Sequence, residues 1–418
     1  MFDIDSWQEV WVTLSRNKRR SLLTAFGVFW GIFMLVAMMG AGNGLAEGVV
    51  SNVKGFSENS AFFFTNATTE PYKGFQKGRY WNFKEEDLDI LENQLSDIKY
   101  TLPFLMGSDV TVSHGERSTS CSTKGLSYRY PDMMPQIMLY GRYLNPVDVR
   151  DRRKVCVIGK KVYEELFHNG EDPVGQYLKM HNINFQIIGV AEPAVSGVNL
   201  GGKDDEIIAM PYTVMQQIQN SGTMVHLIGV VANEDVSMST LEPKVAALLK
   251  ARHFIAPTDL GALDSVNIEK IFKQFYMLFM GIQILIWIVG LGTLLAGVVG
   301  VSNIIMVTVR ERTQEIGIRR ALGAKPMSIV FQVIKESTAL TVAAGFLGIS
   351  FGVFILDLVN TFLLQNMSGN TFFTNPQIHL YTALWAAVII IVSGMAAGIL
   401  PAIRALEIKA IDAIREEN

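Results

Sequence analysis

Between Gln274 and Val309 the chain runs for 36 positions without one charged side chain. At about 1.5 Å per helical residue that is roughly 54 Å of helix, well beyond the ~30 Å of a bilayer's hydrocarbon core. Three further stretches share this character. Residues 21–46 carry no charge, residues 337–356 carry none within a longer apolar run at 327–358, and 381–403 reads YTALWAAVIIIVSGMAAGILPAI. Four membrane-spanning helices at 21–46, 272–309, 327–358 and 381–403 are therefore expected, contacting the lipid bilayer. The whole chain is 49% hydrophobic and only 18% charged, with a mean hydropathy of +0.26, which is too apolar for an ordinary soluble enzyme. Its net charge of −3 offers no basic field for nucleic acid.

The first apolar run follows Arg16, Lys18, Arg19 and Arg20. It is longer than the 7–15-residue core of a secretory signal, so it reads as an uncleaved anchor. Orientation follows from the distribution of basic residues. Arg310, Arg312, Arg319, Arg320 and Lys325 lie between the second and third spans, whereas 359–380 has no Lys or Arg. Both termini and the 310–326 segment are then cytoplasmic, 359–380 is a short loop on the far side, and so is 47–271.

The N-terminal segment 1–20 places Ile4, Trp7, Trp11 and Leu14 at helical spacing. Ser6 and Glu9 form a capping box, so a helix starts at Trp7. Tryptophan on its apolar face and basic residues at its end suit a helix lying in the membrane interface, the bland alternative being a helix packed on protein alone.

The 47–271 region mixes strands and helices, giving an α+β domain. KVCVIG (154–159), DEIIAMP (205–211) and VHLIGVV (225–231) read as strands, while 160–167 and 239–253 read as helices. YLKMHNINFQIIGV (177–190) reads as a hairpin turning at His181-Asn182. Neither a phosphate-cradling G-x-x-x-x-G-K-[ST] nor H-E-x-x-H occurs, and the six histidines show no ligand spacing. No catalytic, metal or cofactor site is expected. Cys121 and Cys156 cannot build a disulfide framework; one bridge or two free thiols both stay open. Asn66-Ala67-Thr68 and Asn366-Met367-Ser368 match a glycosylation sequon, a match common by chance.

Within the spans, Gly27/Gly31, Gly40/Gly44, Gly348/Gly352 and Gly394/Gly398 stand four apart. Such pairs let helix backbones approach closely, without distinguishing packing within one chain from packing between two. Asn43, Ser302 and Asn303 are polar residues in or near spans, suited to helix-to-helix hydrogen bonds. Glu336 sits near the cytoplasmic start of the third span, where a carboxylate must snorkel or pair, the alternative being a proton or ligand site.

The densest charge lies in VRERTQEIGIRRALGAKP (309–326), with seven charged side chains in the sixteen positions 310–325. A short helix is expected after Arg312. Glu315 stands in its first turn, and Arg319 and Arg320 toward its end, as the helix dipole favours. Gly323 can supply a left-handed cap and Pro326 can begin the next helix. Ile318, Ala321 and Leu322 share a face. A loop that only sets topology would need the basic residues but not this punctuation; a docking helix explains both.

SNIIMVTVRERTQEIGIRRALGAKP closely resembles the signature of MacB/FtsX-type ABC transporter permeases. GILPAIRALEIKAIDAIREE (398–417) is similar to the family's C-terminal segment, 141–180 to its periplasmic domain, and 17–35 to its first span. The resemblance implies a four-span bacterial inner-membrane permease whose large α+β periplasmic domain is inserted between spans 1 and 2 and built in two parts. It implies a homodimer whose coupling helix docks on an ATP-binding subunit through Arg310, Glu311, Arg312, Thr313, Glu315, Ile316, Gly317, Ile318, Arg319, Arg320, Ala321, Leu322 and Gly323. Only 20 residues precede the first span here, so the ATPase is expected on a separate polypeptide and the permease itself is not an enzyme. The family further implies mechanotransmission in a tripartite efflux assembly with a periplasmic adaptor and a TolC-like outer-membrane channel. Activation of periplasmic cell-wall hydrolases, as in FtsX-like members, and lipoprotein extraction, as in LolC/LolE-like permeases, are the alternatives. The 225 residues at 47–271 exceed an FtsX outer domain and favour export.

Overall fold

A computed structural model describes residues 18–51, 57–168, 170–194, 204–366, 376 and 380–407. The expected interfacial helix lies outside the described residues up to position 17, as do the tail beyond 407 and most of 367–379. The chain divides into two compact units: residues 1–49 with 277–418, and residues 50–276.

The first helix, α1, spans Lys18–Ser51. The inserted unit then opens with β1 (Ser60–Thr65), β2 (Phe83–Lys84), α2 (Glu85–Gln94), β3 (Ile98–His114) and β4 (Arg117–Leu126). It continues with α3 (Tyr130–Met133), β5 (Gln136–Gly141), α4 (Pro146–Arg150), β6 (Val155–Gly159), α5 (Lys160–Leu166), β7 (Tyr177–Met180) and β8 (Ile183–Pro193). It closes with β9 (Ile207–Pro211), α6 (Tyr212–Gln219), β10 (Met224–Val225), β11 (Leu227–Ala232), α7 (Met238–Arg252) and β12 (Leu263–Asn267).

Nine strands run in the order β12-β1-β11-β3-β4-β9-β6-β8-β5, with β7 joined to β3 and β8. The 17-residue β3 is the common member of two halves. Its first part pairs antiparallel with β11, its last part with β4, and the register shifts between Met106 and Asp109. An irregularity of this kind re-aims a strand without ending it. The strands VCVIG, IIAMP and LIGVVA are buried at every position. Both faces of the sheet are covered at these three strands, which is why they read as unbroken apolar runs rather than alternating ones. Alternate residues feed two cores: Ala61 and Phe63 face one, and Phe62 the other.

Local details depart from the sequence in two places. Asp204–Glu206 forms a 3₁₀ turn, so β9 starts only at Ile207. His226 splits the expected strand 225–231: β10 pairs with β2, β11 joins the large sheet, and the His226 Nδ1 accepts a hydrogen bond from the Met106 N–H at 2.9 Å. The hairpin turns where expected. His181 and Asn182 have φ of +51° and +63° between β7 and β8, the pattern of a type I′ turn. Cys121 and Cys156 are both free and buried. Burial, then the carboxylates of Asp109 and Glu165, push the Cys121 thiol up to about 12, so it stays protonated and inert.

The remaining helices are α8 (Ile268–Glu311), α9 (Thr313–Ala321), α10 (Pro326–Asn366) and α11 (Leu380–Leu406). Among the described residues, four helices (α1, α8, α10 and α11) are long and apolar enough to cross a membrane. The α/β unit lies in sequence between the first two. Ile288, Leu295, Phe346, Leu347 and Leu400 are all more than 60% exposed, a surface suited to lipid rather than water. Asn267 accepts from the Lys270 N–H at 3.1 Å, which caps α8 and starts it four residues before the expected span. At its other end α10 runs on to Asn366, past the expected span end at 358, because 353–366 contains neither Gly nor Pro.

Small residues set the spacing in this unit. Gly31 of α1 faces the backbone of Thr293 on α8, and Gly348 of α10 faces the Phe29 carbonyl of α1. Gly394 and Gly398 of α11 face Thr338, Ser337 and Ile334 of α10, and the Ser337 hydroxyl donates to the Gly394 carbonyl at 2.9 Å. These spaced glycines thus pack helices of one chain against each other.

Candidate functional site: a charged helix between two membrane helices

Helix α8 ends at Glu311 and α9 begins at Thr313, so Arg312 is the single residue at the break, with φ −103° and ψ 14°. The Thr313 hydroxyl donates to the Arg310 carbonyl at 2.6 Å across it. Nine residues of helix follow, with Glu315 in the first turn and Arg319 and Arg320 in the last. Each charge sits at the end of the helix dipole that favours it. The exit is a Schellman cap: the Ala324 N–H donates to the Arg319 carbonyl and the Gly323 N–H to that of Arg320, at 3.0 and 3.1 Å. Gly323 has φ +94°, which a side chain would strain. Pro326 then opens α10.

The helix has two unlike faces. Gly317 is buried, and Ile316 packs inward against the core that holds Val309, Ile329 and Val333. Ile318 and Leu322 are 46% and 84% exposed, and Ala321 is exposed beside them. Three apolar side chains on a charged segment therefore point outward together. Arg310, Glu311 and Gly323 are also exposed, and Thr313 is half-buried.

Most of the remaining charges are engaged within the chain. Arg312 Nη1 donates to Glu336 Oε1 at 3.0 Å and its Nε to Glu315 Oε2 at 3.2 Å. Arg319 pairs with Glu315 at 2.9 Å and donates to Gln332 Oε1 at 3.3 Å. Arg320 Nη1 donates at 2.8 Å to the Leu406 carbonyl, at the C-terminal end of α11. Glu336 is only 4% exposed, and its pairing with Arg312 meets the requirement for a carboxylate at that depth. Sequence reasoning singled out the arginines and Glu315 but missed Gln332 and the Leu406 carbonyl as their partners. The available signal was spacing: Arg312, Glu315 and Arg319 recur on one helix face, and Gln332 and Glu336 stand four apart on another.

A G-x-S-x-G sequence occurs at 348–352. It lies inside the unbroken α10, not at a strand-to-helix elbow, so Ser350 is not presented as a nucleophile.

Residues 21–248 match the MacB-like periplasmic core domain, and residues 287–410, which include α9, match the FtsX-like permease C-terminal domain. The chain belongs to the MacB/FtsX-type permease family. Among its relatives is the macrolide export ATP-binding/permease protein MacB of Acinetobacter baylyi, 26% identical over 99% of this chain. The pyoverdine export ATP-binding/permease protein PvdT of Pseudomonas entomophila is also 26% identical over 99% of it. The permease chain spans 60% of the length of each of these relatives. Similar solved structures are the periplasmic region of MacB from Actinobacillus actinomycetemcomitans and the extracellular domain of the transporter YknZ from Gram-positive bacteria. The former is 21% identical with a TM-score of 0.43, covering 55% of this chain and 97% of that one. The latter is 18% identical with a TM-score of 0.41, covering 50% and 100%.

Proposed function

We propose that this chain is the permease component of an ABC-type export system in the bacterial inner membrane. In this reading α9 receives the motion of an ATP-binding component. The 44-residue α8 carries that motion to the inserted domain, which lies in the periplasm. Two copies of the chain work as a homodimer, with a periplasmic adaptor and a TolC-like outer-membrane channel beyond them. The permease converts motion and does no bond chemistry itself. Family membership and the export named for the relatives support the general reading. The observation that carries the docking role is the ridge of Ile318, Ala321 and Leu322, held outward on a helix capped at its exit and joined through one residue to α8.

The site residues divide by this geometry. Ile318, Ala321 and Leu322 form the contact, with Arg310 and Glu311 beside it. Ile316 and Gly317 seat the helix on its own membrane unit, and Arg312, Glu315, Arg319 and Arg320 hold its orientation. Burying an apolar side chain of this size contributes about 1.5–3 kcal/mol. The double variant Ile318→Asp/Leu322→Asp should therefore reach the membrane folded but bind the ATP-binding component at least about 100-fold more weakly, since every 1.4 kcal/mol is tenfold. Affinity purification in mild detergent reads this directly. Association and transport equal to those of the parent chain would leave α9 as a topology determinant only.

A further inference from the structure

The break between α8 and α9 is one residue long, and a one-residue break between helices is where a hinge is expected. Here the hinge residue carries its own restraint. Arg312 reaches forward to Glu315 in the first turn of α9 and across to Glu336 on α10, at 3.2 and 3.0 Å. Glu315 passes the contact to Arg319, and Arg319 returns it to Gln332, one turn from Glu336 on the same face of α10. Three side chains of the α8–α9 segment and two of α10 thus form a polar ring, closed through one turn of the α10 backbone. The cavity inside it is about 20 Å³, room for a water molecule but not for a ligand. Below the ring, Ile316 packs on the core with Ile329 and Val333. The ring joins α9 to α10, with Glu336 at its buried end and Glu315 and Arg319 at its partly exposed end, while Ile318 and Leu322 stay exposed beyond it.

We infer that the ring formed by Arg312, Glu315, Arg319, Gln332 and Glu336 is a transmission clasp. It stops the α8–α9 joint from bending freely, so that a push on α9 moves the cytoplasmic ends of α8 and α10 together. Glu336 and Gln332 are then positioning residues: they touch no partner and act through the orientation of α9. This rests on the docking role proposed for α9, and it separates two functions that the motif compresses into sixteen residues. Exposed apolar residues bind the partner; charges paired within the chain make the binding mechanically effective. A free hinge would let the partner dock and hydrolyse ATP while α9 swivelled without moving the membrane helices.

The clasp is tested in the purified full-length chain in nanodiscs. Spin labels at Leu322→Cys on α9 and Phe346→Cys on α10 are both on exposed sites, while the native cysteines are buried. The labels stand roughly 30 Å apart by helix rise, within reach of pulsed electron paramagnetic resonance. A single narrow distance distribution is expected. Glu336→Gln should at least double its width. Arg312→Met/Glu336→Met leaves no unpaired buried charge, and it should broaden the distribution equally even where the single variant fails to accumulate. A width unchanged in the double variant overturns the clasp. With the ATP-binding component added, Glu336→Gln should keep association within about twofold of the parent but lose stimulation of ATP hydrolysis by the permease. Retained stimulation likewise overturns the clasp. A parent chain that captures no ATP-binding component refutes the docking role instead, and the label distances still judge the clasp.

Discussion

Asp259 shows how one residue can hold a loop that no strand or helix supports. It is fully buried and accepts five hydrogen bonds: from the Thr69 N–H and hydroxyl at 2.8 and 2.6 Å, and from the N–H groups of Glu70, Gly261 and Ala262, each at 3.1 Å. Burial raises its pKa, and the donors from Thr69, Glu70 and Ala262 outweigh it, so the carboxyl titrates below its ordinary value. A depressed carboxylate contributes stability that is fully present above the unfolded pKa of about 3.9 and is lost as pH falls through the lower folded value. Asp259→Asn removes the charge and turns an amide N–H₂ toward the donors. It should destabilise the full chain by about 2–4 kcal/mol. It should also flatten the decline in unfolding free energy below about pH 5, because the linked carboxylate is gone. Denaturant titration of the detergent-solubilised protein at pH 7 and at acid pH reads both effects. A variant as stable as the parent would show that the loop is held by other contacts.

At the scale of elements, the helix pairs of the membrane unit depend on where a side chain is absent. A Cβ at Gly398 would stand 3.0 Å from Ile334 Cα, a backbone atom, and 2.3 Å from Ser337 Oγ, whose hydroxyl already bonds α11. The two helices would have to separate, and overpacking of this kind costs about 1–3 kcal/mol. Gly281 of α8 has nothing within 4 Å of the same position. Gly398→Ala should therefore lower the thermal midpoint in detergent, while Gly281→Ala should leave it unchanged or raise it, since alanine favours helix by about 1 kcal/mol. Equal shifts for the two variants would refute tight α10–α11 packing. Helix α9 follows the same logic in reverse, since its ends are set locally by Gly323 and Pro326 but its inward face is set by what α10 presents.

For the whole molecule, the governing quantity is the distribution of Lys and Arg about four apolar helices. Basic residues cluster at the start of α1 and around α9 and are missing from 359–380. Lys77 in the inserted domain and Lys325 after α9 are both exposed, and the native cysteines are buried. Cysteine substitutions at these two positions should label from opposite sides of the membrane, Lys325→Cys from the cytoplasm. Labelling from the same side would rule out the four-span topology, and with it any transmission from α9 to the inserted domain.

Features that depend on neighbouring residues were legible in the sequence: charge-free lengths that span a bilayer, the left-handed cap at Gly323, the hairpin turn at His181-Asn182, and the shared face of Ile318, Ala321 and Leu322. Each follows from backbone sterics, helix periodicity or transfer free energy over a few turns. The partners across distance were not legible. That β3 serves both halves of the sheet, that the spaced glycines meet helices of their own chain, and that Arg312 finds Glu336 on the next helix all depend on long-range packing. A side chain's spacing along the chain says which face it occupies. Only the packed structure decides what that face meets, because apolar burial is non-directional and many pairings satisfy the same pattern equally well.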